Sequence, residues 1–467
     1  MINITTKQNV MPEQPIETRI TNYDEIKLGY TPEQAISEAM RCLNCRKKPC
    51  MNNGCPLHNH IPEFIAKIAQ GDFAGAHDIL IETTRLGAIC SRVCPHENQC
   101  EGHCVRGVKG EPVKIGALER FVTDWYRENI GFSTEHGAYN GHKVAIIGAG
   151  PAGMACACDL NMMGYGVTVF DENNVIGGTM NFGIPEYRLP KAVIQGEVDA
   201  FEKRGIEFKL NTRIGVGGKT TLKNLLKEGY DAIFISDGAV KPTKINIESN
   251  EEQHVFDASD FLYRINVLHA YRGGTERKLP HGKKVVVIGG GNVAMDASRC
   301  ALRSGAEKVT IVYRRIESEM PALTAEINDA KEEGVEIMDL SNPIAIIKDS
   351  SGKVKGLECL KQSLGAPDEQ GRHKPVPVEG SNFIVDADMV IIATGSTFKK
   401  GITDEDLPEL EKSSKGAVIT DNVTATNIEG IYAGGDTVTG PATVVKAMSA
   451  GKRAAVSIDK YIYGFKK

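Results

Sequence analysis

The stretch Lys143-Val-Ala-Ile-Ile-Gly-Ala-Gly-Pro-Ala-Gly153 decides the fold of this 467-residue chain. A short apolar run leads directly into the pattern G-x-G-x-x-G, and residues 151–164 continue with helical periodicity. Gly148 permits a tight turn, Gly150 lets a pyrophosphate approach the backbone, and Gly153 lets the helix pack closely on the strand. The stretch therefore predicts the strand–turn–helix start of a dinucleotide-binding unit.

The residues after the turn strengthen this prediction. Pro151 and Ala152 open the helix, whose free N–H groups and positive end attract phosphate. A second strand, Gly166-Val-Thr-Val-Phe, ends at Asp171, where an acidic residue is expected to bind ribose hydroxyls. A simple tight turn is the alternative, and the combination of strand, helix and acidic residue disfavours it.

The same pattern returns in Lys284-Val-Val-Val-Ile-Gly, a helix over 292–304 and the strand Lys308-Val-Thr-Ile-Val-Tyr. Its turn fits G-x-G-x-x-A, a variant common at NADPH sites, and supplies the candidate residues Gly289, Gly291, Asn292, Val293 and Ala294.

The strand of this second unit ends in Arg314 and Arg315 instead of an acid. Guanidinium groups can pair with a 2′-phosphate, which favours NADPH over NADH. The alternative is a pair of solvated surface arginines. Two such units predict doubly wound α/β domains.

Composition excludes several classes of function. A net charge of −5 and a pI near 6.2 give no basic footprint, so we expect no nucleic-acid partner. No apolar run approaches the roughly 18 residues that span a bilayer. The N-terminus lacks the pattern of a signal peptide, so we expect a cytoplasmic protein in a reducing compartment.

Eight of the twelve cysteines lie between residues 42 and 104. Their spacing is Cys42-x2-Cys45-x4-Cys50-x4-Cys55 and Cys90-x3-Cys94-x5-Cys100-x3-Cys104. Thiolates suit iron–sulfur clusters or zinc. Zinc stays open from this block alone, since four histidines lie nearby, namely His58, His60, His96 and His103. Two dinucleotide sites in the same chain favour a redox role.

The segment Gly430-Ile-Tyr-Ala-Gly-Gly-Asp-Thr-Val-Thr-Gly-Pro-Ala-Thr resembles the second FAD motif of pyridine-nucleotide flavoproteins. The resemblance implies that Asp436 holds the ribityl chain and that a helix starting near Thr443 points at the flavin. The further predicted FAD contacts are Gly178, Arg188, Gly238, Gly395, Gly435 and Val444.

The order of these motifs resembles the glutamate synthase small-subunit family, which includes the large subunit of the NADH-dependent ferredoxin:NADP oxidoreductase and the N-terminal half of dihydropyrimidine dehydrogenase. The matching segments span roughly residues 25–460 and include Arg41-Cys-Leu-Asn-Cys, Cys55-Pro, Val93-Cys-Pro, Cys100-Glu-Gly-His-Cys, Ile115-Gly-Ala-Leu-Glu-Arg-Phe, Gly183-Ile-Pro-Glu-Tyr-Arg-Leu-Pro-Lys, Tyr313-Arg-Arg and Glu319-Met-Pro-Ala.

This resemblance implies a helical iron–sulfur domain (1–135), an FAD domain in two parts (136–275 and 391–467) and an NADPH domain inserted between them (276–390). It also implies two [4Fe-4S] clusters. One set of ligands would be Cys42, Cys45, Cys50 and Cys104, and the other Cys55, Cys94, Cys100 and Glu119. Cys90 falls outside both sets. A solvated helix-surface carboxylate is the alternative for Glu119.

The implied activity is electron transfer from NADPH through FAD to the clusters and on to a partner subunit. We expect a hetero-oligomer with a large electron-accepting chain, as in glutamate synthase. The alternative is the large subunit of a ferredoxin:NADP oxidoreductase, possibly electron-bifurcating, with a small flavoprotein or ferredoxin as partner. A zinc-stapled scaffold without redox function is a third hypothesis. Residues 1–30 are expected to form a polar arm.

Overall fold

The computed structural model describes residues 5–243, 245, 247, 250–273, 277–369, 371–398 and 406–464. Its N-terminal part is helical, with the helices α1 Ile16–Arg19, α2 Pro32–Ala39, α3 Ile61–Ala69, α4 Phe73–Ile81, α5 Gly87–Val93 and α6 Ile115–Asn129. Single helical turns are found at Cys50–Gly54, His96–Asn98 and Val105–Val108.

Local sequence explains where these helices begin and which face they bury. Thr31 and Gln34 form a reciprocal capping box at the start of α2. In α6 the residues Leu118, Phe121 and Val122 lie at helical spacing and are almost fully buried. The helices therefore pack around one small core between the cysteine segments.

The next part starts the first α/β unit, with β1 Lys143–Ile147, α7 Pro151–Met162, β2 Gly166–Phe170, α8 Thr179–Phe182, α9 Lys191–Lys203, β3 Glu207–Lys209, α10 Leu222–Lys227, β4 Ala232–Ile235 and β5 Lys241–Pro242. The second unit follows with β6 Val255–Asp257, α11 Ala258–Asn266, β7 Lys284–Ile288, α12 Asn292–Arg303, β8 Lys308–Val312, α13 Thr324–Glu332, β9 Glu336–Met338, β10 Ser341–Lys348, β11 Val354–Pro367, β12 His373–Asp386 and β13 Met389–Ile392. The chain then returns to the first unit with β14 Ser396–Thr397, β15 Ile431–Ala433, α14 Asp436–Thr439 and α15 Val444–Tyr463. Three 3₁₀ turns lie at Glu251–Gln253, Ala270–Arg272 and Glu317–Glu319.

Two five-stranded parallel sheets organise these units, in the orders β15-β4-β1-β2-β3 and β6-β13-β7-β8-β9. The second sheet is formed entirely by residues between β4 and β15, so the second unit is inserted in the first. The fold class predicted from the sequence is confirmed. An antiparallel sheet of β10, β11 and β12 is attached to the second unit, and β5 pairs with β14.

The predicted boundary between residues 275 and 276 lies outside the described residues. Because β6 pairs with β13, the second sheet already includes residues 255–257. The predicted boundary at 390/391 divides β13, of which all residues from Met389 to Ile392 pair with β7. We therefore propose boundaries near residues 254 and 393.

The N-terminal segment differs from the expected polar arm. Ile26 and Tyr23 pack into the core of the second unit, and the Arg19 side chain is buried. Arg19 forms an ion pair with Glu333, which follows α13. A few apolar and charged side chains thus attach this N-terminal segment to the second unit, although most of its residues are polar. None of the helices in the described part of the chain is both long and apolar enough to cross a membrane.

Candidate cofactor sites

The first glycine turn has the close contacts that only glycine permits. Gly148 has φ +104°, and a Cβ added to Gly153 would lie 1.9 Å from the Gly148 carbonyl oxygen. A Cβ at Gly150 would meet no atom within 4 Å, so the space beside this backbone is open. The turn therefore packs tightly toward the sheet and leaves room on its outer side, as a pyrophosphate requires.

Asp171 supports this turn from the end of β2. Its carboxylate accepts hydrogen bonds at 2.8 Å from the Ala149 N–H and at 2.8 Å from the Asn173 N–H. The predicted ribose-binding residue is thus held directly beside the turn. Pro151 and Ala152 begin α7 as expected.

The C-terminal motif lies against the same turn. A Cβ on Gly435, which has φ +66°, would approach the Ala152 Cβ to 2.9 Å, and one on Gly451 would approach the Ala152 carbonyl to 2.1 Å. Small residues therefore let α15 cross the start of α7 at close range. This contact joins two motifs that are almost 300 residues apart in the sequence.

Asp436 is held at the edge of this junction. Its carboxylate accepts a hydrogen bond from the Ala442 N–H at 3.1 Å, and burial raises the pKa of Asp436 to about 6. Thr443 caps α15, because its side chain accepts a hydrogen bond from the Lys446 N–H. Val444 is the first residue of α15. The carboxylate and the helix start are thus next to the first glycine turn, as the flavin motif requires.

The other predicted FAD contacts separate into two groups. Gly178 adjoins the turn, since its added Cβ would lie 3.1 Å from the Gly150 Cα. Gly238 donates its N–H to the Thr437 hydroxyl at 2.9 Å, within the C-terminal motif. Gly395 lies elsewhere, beside the β5–β14 pair, where its carbonyl accepts a hydrogen bond from the Thr243 N–H.

Arg188 forms ion pairs across the boundary between the two α/β units. Its guanidinium donates two hydrogen bonds to Asp296 of α12, at 2.9 and 2.8 Å, and lies 2.9 Å from Glu326 of α13. These two carboxylates are buried or nearly so and attract the cation across the domain boundary. The side chain therefore links the two α/β units, and its contact with FAD stays a prediction.

The second glycine turn repeats the geometry of the first. Gly289 has φ +142°, and its added Cβ would lie 2.3 Å from the Ala393 carbonyl oxygen. Gly291 precedes α12 and is open on one side, Ala294 is fully buried, and Val293 is 42% exposed. Asn292 accepts a hydrogen bond from the Leu323 N–H at 2.9 Å. The amide of Asn292 therefore fixes the loop before α13 over the turn.

The two arginines after β8 have different surroundings. Arg314 is exposed and has no side-chain hydrogen bond or ion pair within the described ranges. Arg315 donates to the His373 carbonyl at 2.7 Å, and its Nε lies 3.9 Å from Glu319. Arg314 is thus free to meet a 2′-phosphate, whereas Arg315 is already partly engaged.

The cysteine block forms two separate pockets. We call the first the outer cysteine group: its pocket is lined by Cys42, Cys45, Cys50 and Cys104. The second, the inner cysteine group, is lined by Cys55, Cys90, Cys94, Cys100 and Glu119. The structure thus brings together the two sets that the family resemblance implies, and it adds Cys90 to the second.

Glu119 has the surroundings of an unsatisfied ligand. It is 5% exposed, and its Oε1 has no hydrogen-bond partner among the residues that the structure describes. Burial raises the pKa of Glu119 to about 8. The solvated-surface alternative is therefore wrong for this carboxylate. A buried oxygen without a partner is costly unless something else binds it.

Burial also raises the pKa of Cys50 in the outer group to about 12 and the pKa of Cys55 in the inner group to about 11. A neighbouring acidic group raises each pKa further. This group is the Cys42 thiol for Cys50 and the Glu119 carboxyl for Cys55. Such clusters of acidic ligands need a cationic centre to be stable as thiolates. The donor atoms of both pockets therefore fit iron–sulfur clusters. In the described residues no three cysteine, histidine or carboxylate side chains are close enough to hold a single metal ion.

Sequence reasoning missed the contact between the inner cysteine group and the C-terminal helix. The pocket is also lined by Val445, which lies in the first turn of α15. The Cys90 sulfur lies 3.3 Å from the Met448 sulfur one turn later. The spacing of the cysteines carries no signal for this contact, because it joins residues more than 300 positions apart.

Comparison with known proteins agrees with this geometry. Residues 19–130 match the family described as dihydropyrimidine dehydrogenase domain II, 4Fe-4S cluster, and residues 142–451 match the pyridine nucleotide-disulphide oxidoreductase family. The glutamate synthase [NADPH] small chain of Escherichia coli is 37% identical over 97% of this chain and 96% of its own length.

The chain belongs to the glutamate synthase small-chain family. Membership in this family identifies it as a subunit of the NADPH-dependent FAD/iron–sulfur oxidoreductase type.

This chain is also similar to a subunit of a different enzyme. The NADP(+)-dependent formate dehydrogenase subunit beta of Moorella thermoacetica is 38% identical over 89% of this chain, which spans 60% of that relative. Among solved structures, FprA of Mycobacterium tuberculosis in complex with NADPH has a TM-score of 0.56 and 19% identity, and the match covers 70% of this chain and 85% of FprA. This last likeness shows the fold alone.

Proposed function

We propose that this chain is the electron-input subunit of an NADPH-dependent glutamate synthase. NADPH would bind at the second glycine turn, FAD at the first, and two [4Fe-4S] clusters in the outer and inner cysteine groups. One observation carries the proposal: Val445 lines the inner cysteine pocket, and it lies two residues after Thr443 of the flavin motif. The proposed FAD site and the inner group would therefore be neighbours in space.

The proposed order of NADPH, FAD and iron–sulfur clusters suits the chemistry of these groups. A flavin accepts a hydride from NADPH and can release single electrons, which iron–sulfur clusters carry one at a time. The protein needs no acid or base side chain for the hydride transfer, so its residues bind and orient the groups. The start of α15 would place its positive end at the flavin and stabilise negative charge there.

The side chains have distinct roles in this proposal. Asp436 would bind the ribityl hydroxyls, and Asp171 the ribose of the adenosine half. Arg314 would bind the 2′-phosphate of NADPH, with Arg315 in support.

For the clusters, Cys42, Cys45, Cys50 and Cys104 would hold the outer one. Cys55, Cys94, Cys100 and Glu119 would hold the inner one. We propose Cys90 as a packing residue, because its sulfur contacts Met448 on the side of α15.

The proposed partner is a large electron-accepting subunit in a hetero-oligomer. The glutamate synthase small chain of E. coli matches this chain from end to end, which supports that partner. The formate dehydrogenase relative is as similar, and it supports a second candidate in which the same electron-input subunit serves another acceptor chain. A small flavoprotein or ferredoxin partner, as in ferredoxin:NADP oxidoreductase, belongs to this second candidate.

We propose a reducing, cytoplasmic location. All twelve cysteines are free thiols in the structure, including eight in the cluster region. A compartment that promotes disulfides would compete with cluster assembly at these thiols.

The test is an anaerobic affinity purification of the tagged chain from its native cells, with the partner identified by mass spectrometry. A large partner, together with NADPH-dependent glutamate formation by the purified complex, supports the proposal. A stoichiometric complex with a small flavoprotein, without glutamate formation, supports the second candidate. A chain that binds neither flavin nor iron would refute both.

A further inference from the structure

The outer cysteine group lies at the molecular surface, whereas the inner group lies against α15. The pocket of the outer group is bordered by Leu43 and Val105, which are 39% and 43% exposed. Val108, one 3₁₀ turn after Cys104, is 79% exposed. Three exposed apolar side chains thus lie beside thiols that would hold a cluster.

Basic side chains surround this apolar centre. Arg46 and Lys47 follow Cys45 directly, and Lys109 follows Val108; all three side chains are exposed. They form no ion pair within the part of the chain that the structure describes. Lys48 and Arg106 add further positive charge, although Lys48 pairs with Glu63 and Arg106 donates to the Thr5 carbonyl. The chain as a whole carries a net charge of −5, so this concentration of cations runs against its overall charge.

We propose that the basic face, formed by Leu43, Arg46, Lys47, Val105, Val108 and Lys109, is the docking site for the electron-accepting protein. The partner would present an acidic surface rich in Asp and Glu around its own one-electron redox centre. An apolar centre with a charged rim is the usual anatomy of a protein interface. Opposite charge would steer the encounter, which suits a partner that must approach the cluster closely.

This inference rests on the proposed function and adds the exit point and the charge of the acceptor. Each NADPH gives up two electrons as it becomes NADP⁺ and a proton. The one-electron centre of the acceptor protein therefore takes one electron at a time, and two such transfers balance each NADPH.

The test compares two charge-reversal variants of the holoprotein. The first, Arg46→Glu/Lys47→Glu/Lys109→Glu, inverts the basic face without changing a proposed ligand. The control, Lys348→Glu/Lys353→Glu/Lys355→Glu, makes the same charge change at exposed positions on β10, β11 and their connection. The probe is a purified, strongly acidic [2Fe-2S] ferredoxin, and its dissociation constant is measured anaerobically by isothermal titration calorimetry at low and at moderate salt.

We expect the basic-face variant to bind the ferredoxin at least about 10-fold more weakly than the control at low salt. Raising the salt should weaken binding by the unmodified protein and reduce the difference between the variants, because exposed charges are screened. The rate of NADPH-driven ferredoxin reduction should fall in parallel, while iron content and NADPH bleaching of the flavin stay unchanged.

Equal binding by the two variants would overturn the docking proposal. A second result would also overturn it. If analytical ultracentrifugation shows a changed oligomeric state in the basic-face variant alone, and this variant still binds ferredoxin normally, the face joins copies of this chain. Failure of the proposed function looks different: NADPH would not bleach the flavin in any of the proteins, whatever their ferredoxin affinity.

Discussion

The Glu333→Gln substitution tests how the N-terminal segment is fastened to the NADPH-type unit. The side chain of Glu333 is 0% exposed and is surrounded by three arginines. Its oxygens lie 3.0 Å from Arg19, 2.8 Å from Arg299 and 2.7 Å from Arg303. One carboxylate thus holds the N-terminal segment against α12.

The expected loss of stability follows from the pKa of this carboxyl group. Burial opposes the charged form, but hydrogen bonds from Arg303 and Arg299 outweigh it and lower the pKa of Glu333 from 4.5 to about 2. At about 1.4 kcal/mol per tenfold change in proton binding, this pKa difference is worth about 3 kcal/mol of stability at neutral pH. Because the folded-state pKa is lowered, the contribution is complete above about pH 4.5 and is lost as the pH falls toward 2.

The assay is hydrogen exchange of the α12 and α13 amides at pH 7, followed by mass spectrometry. A loss of about 3 kcal/mol corresponds to opening that is roughly 150-fold more frequent. Urea unfolding at pH 7 and at pH 3 should show a destabilisation that is smaller at the lower pH. The matched control is Glu332→Gln, since the side chain of Glu332 is 55% exposed and pairs with Arg19, its one ion-pair partner in the described part of the chain. A surface pair of this kind is worth at most about 1 kcal/mol. If both variants exchange equally fast, the buried network does not stabilise this part of the molecule.

Four further predictions concern the cofactor sites. Gly153→Ala should abolish FAD retention because its Cβ would overlap the Gly148 carbonyl at 1.9 Å, whereas Gly150→Ala should fold normally and bind FAD more weakly, as judged by flavin content and circular dichroism. Arg314→Ala should raise the KM for NADPH about 10- to 100-fold and leave the KM for NADH unchanged; an equal effect on both would exclude a 2′-phosphate contact. Glu119→Ala should lower the iron content by about half and alter the electron paramagnetic resonance spectrum, and unchanged values would remove it as a ligand. Cys90→Ser should keep the full iron content, so iron loss in that variant would contradict its role as a packing residue.

The amino-acid sequence by itself determined the two α/β units and their glycine turns. A short continuous apolar run, a glycine pattern and a following helix are local signals, and each depends on backbone sterics within about 30 residues. The resemblance of the motif order to a known family implied the insertion of one unit in the other, and the sheet orders confirm it. The ends of the units were less predictable, because β6 is a three-residue strand without a strong pattern of its own.

Only the tertiary structure decided which side chains meet. Arg188 follows the FAD-side segment in sequence, and only the folded chain brings it to Asp296 and Glu326, which lie more than 100 residues later on α12 and α13. Nothing local to Glu119 distinguishes it from a surface carboxylate on an amphipathic helix. Packing of the cysteine segments buries it, and its Oε1 has no hydrogen-bond partner within the described ranges. The contact of Val445 with the inner cysteine group likewise depends on α15 crossing α7 at its glycine residues. Sequence spacing sets the chemistry that each segment can offer, and long-range packing sets which of these segments become one site.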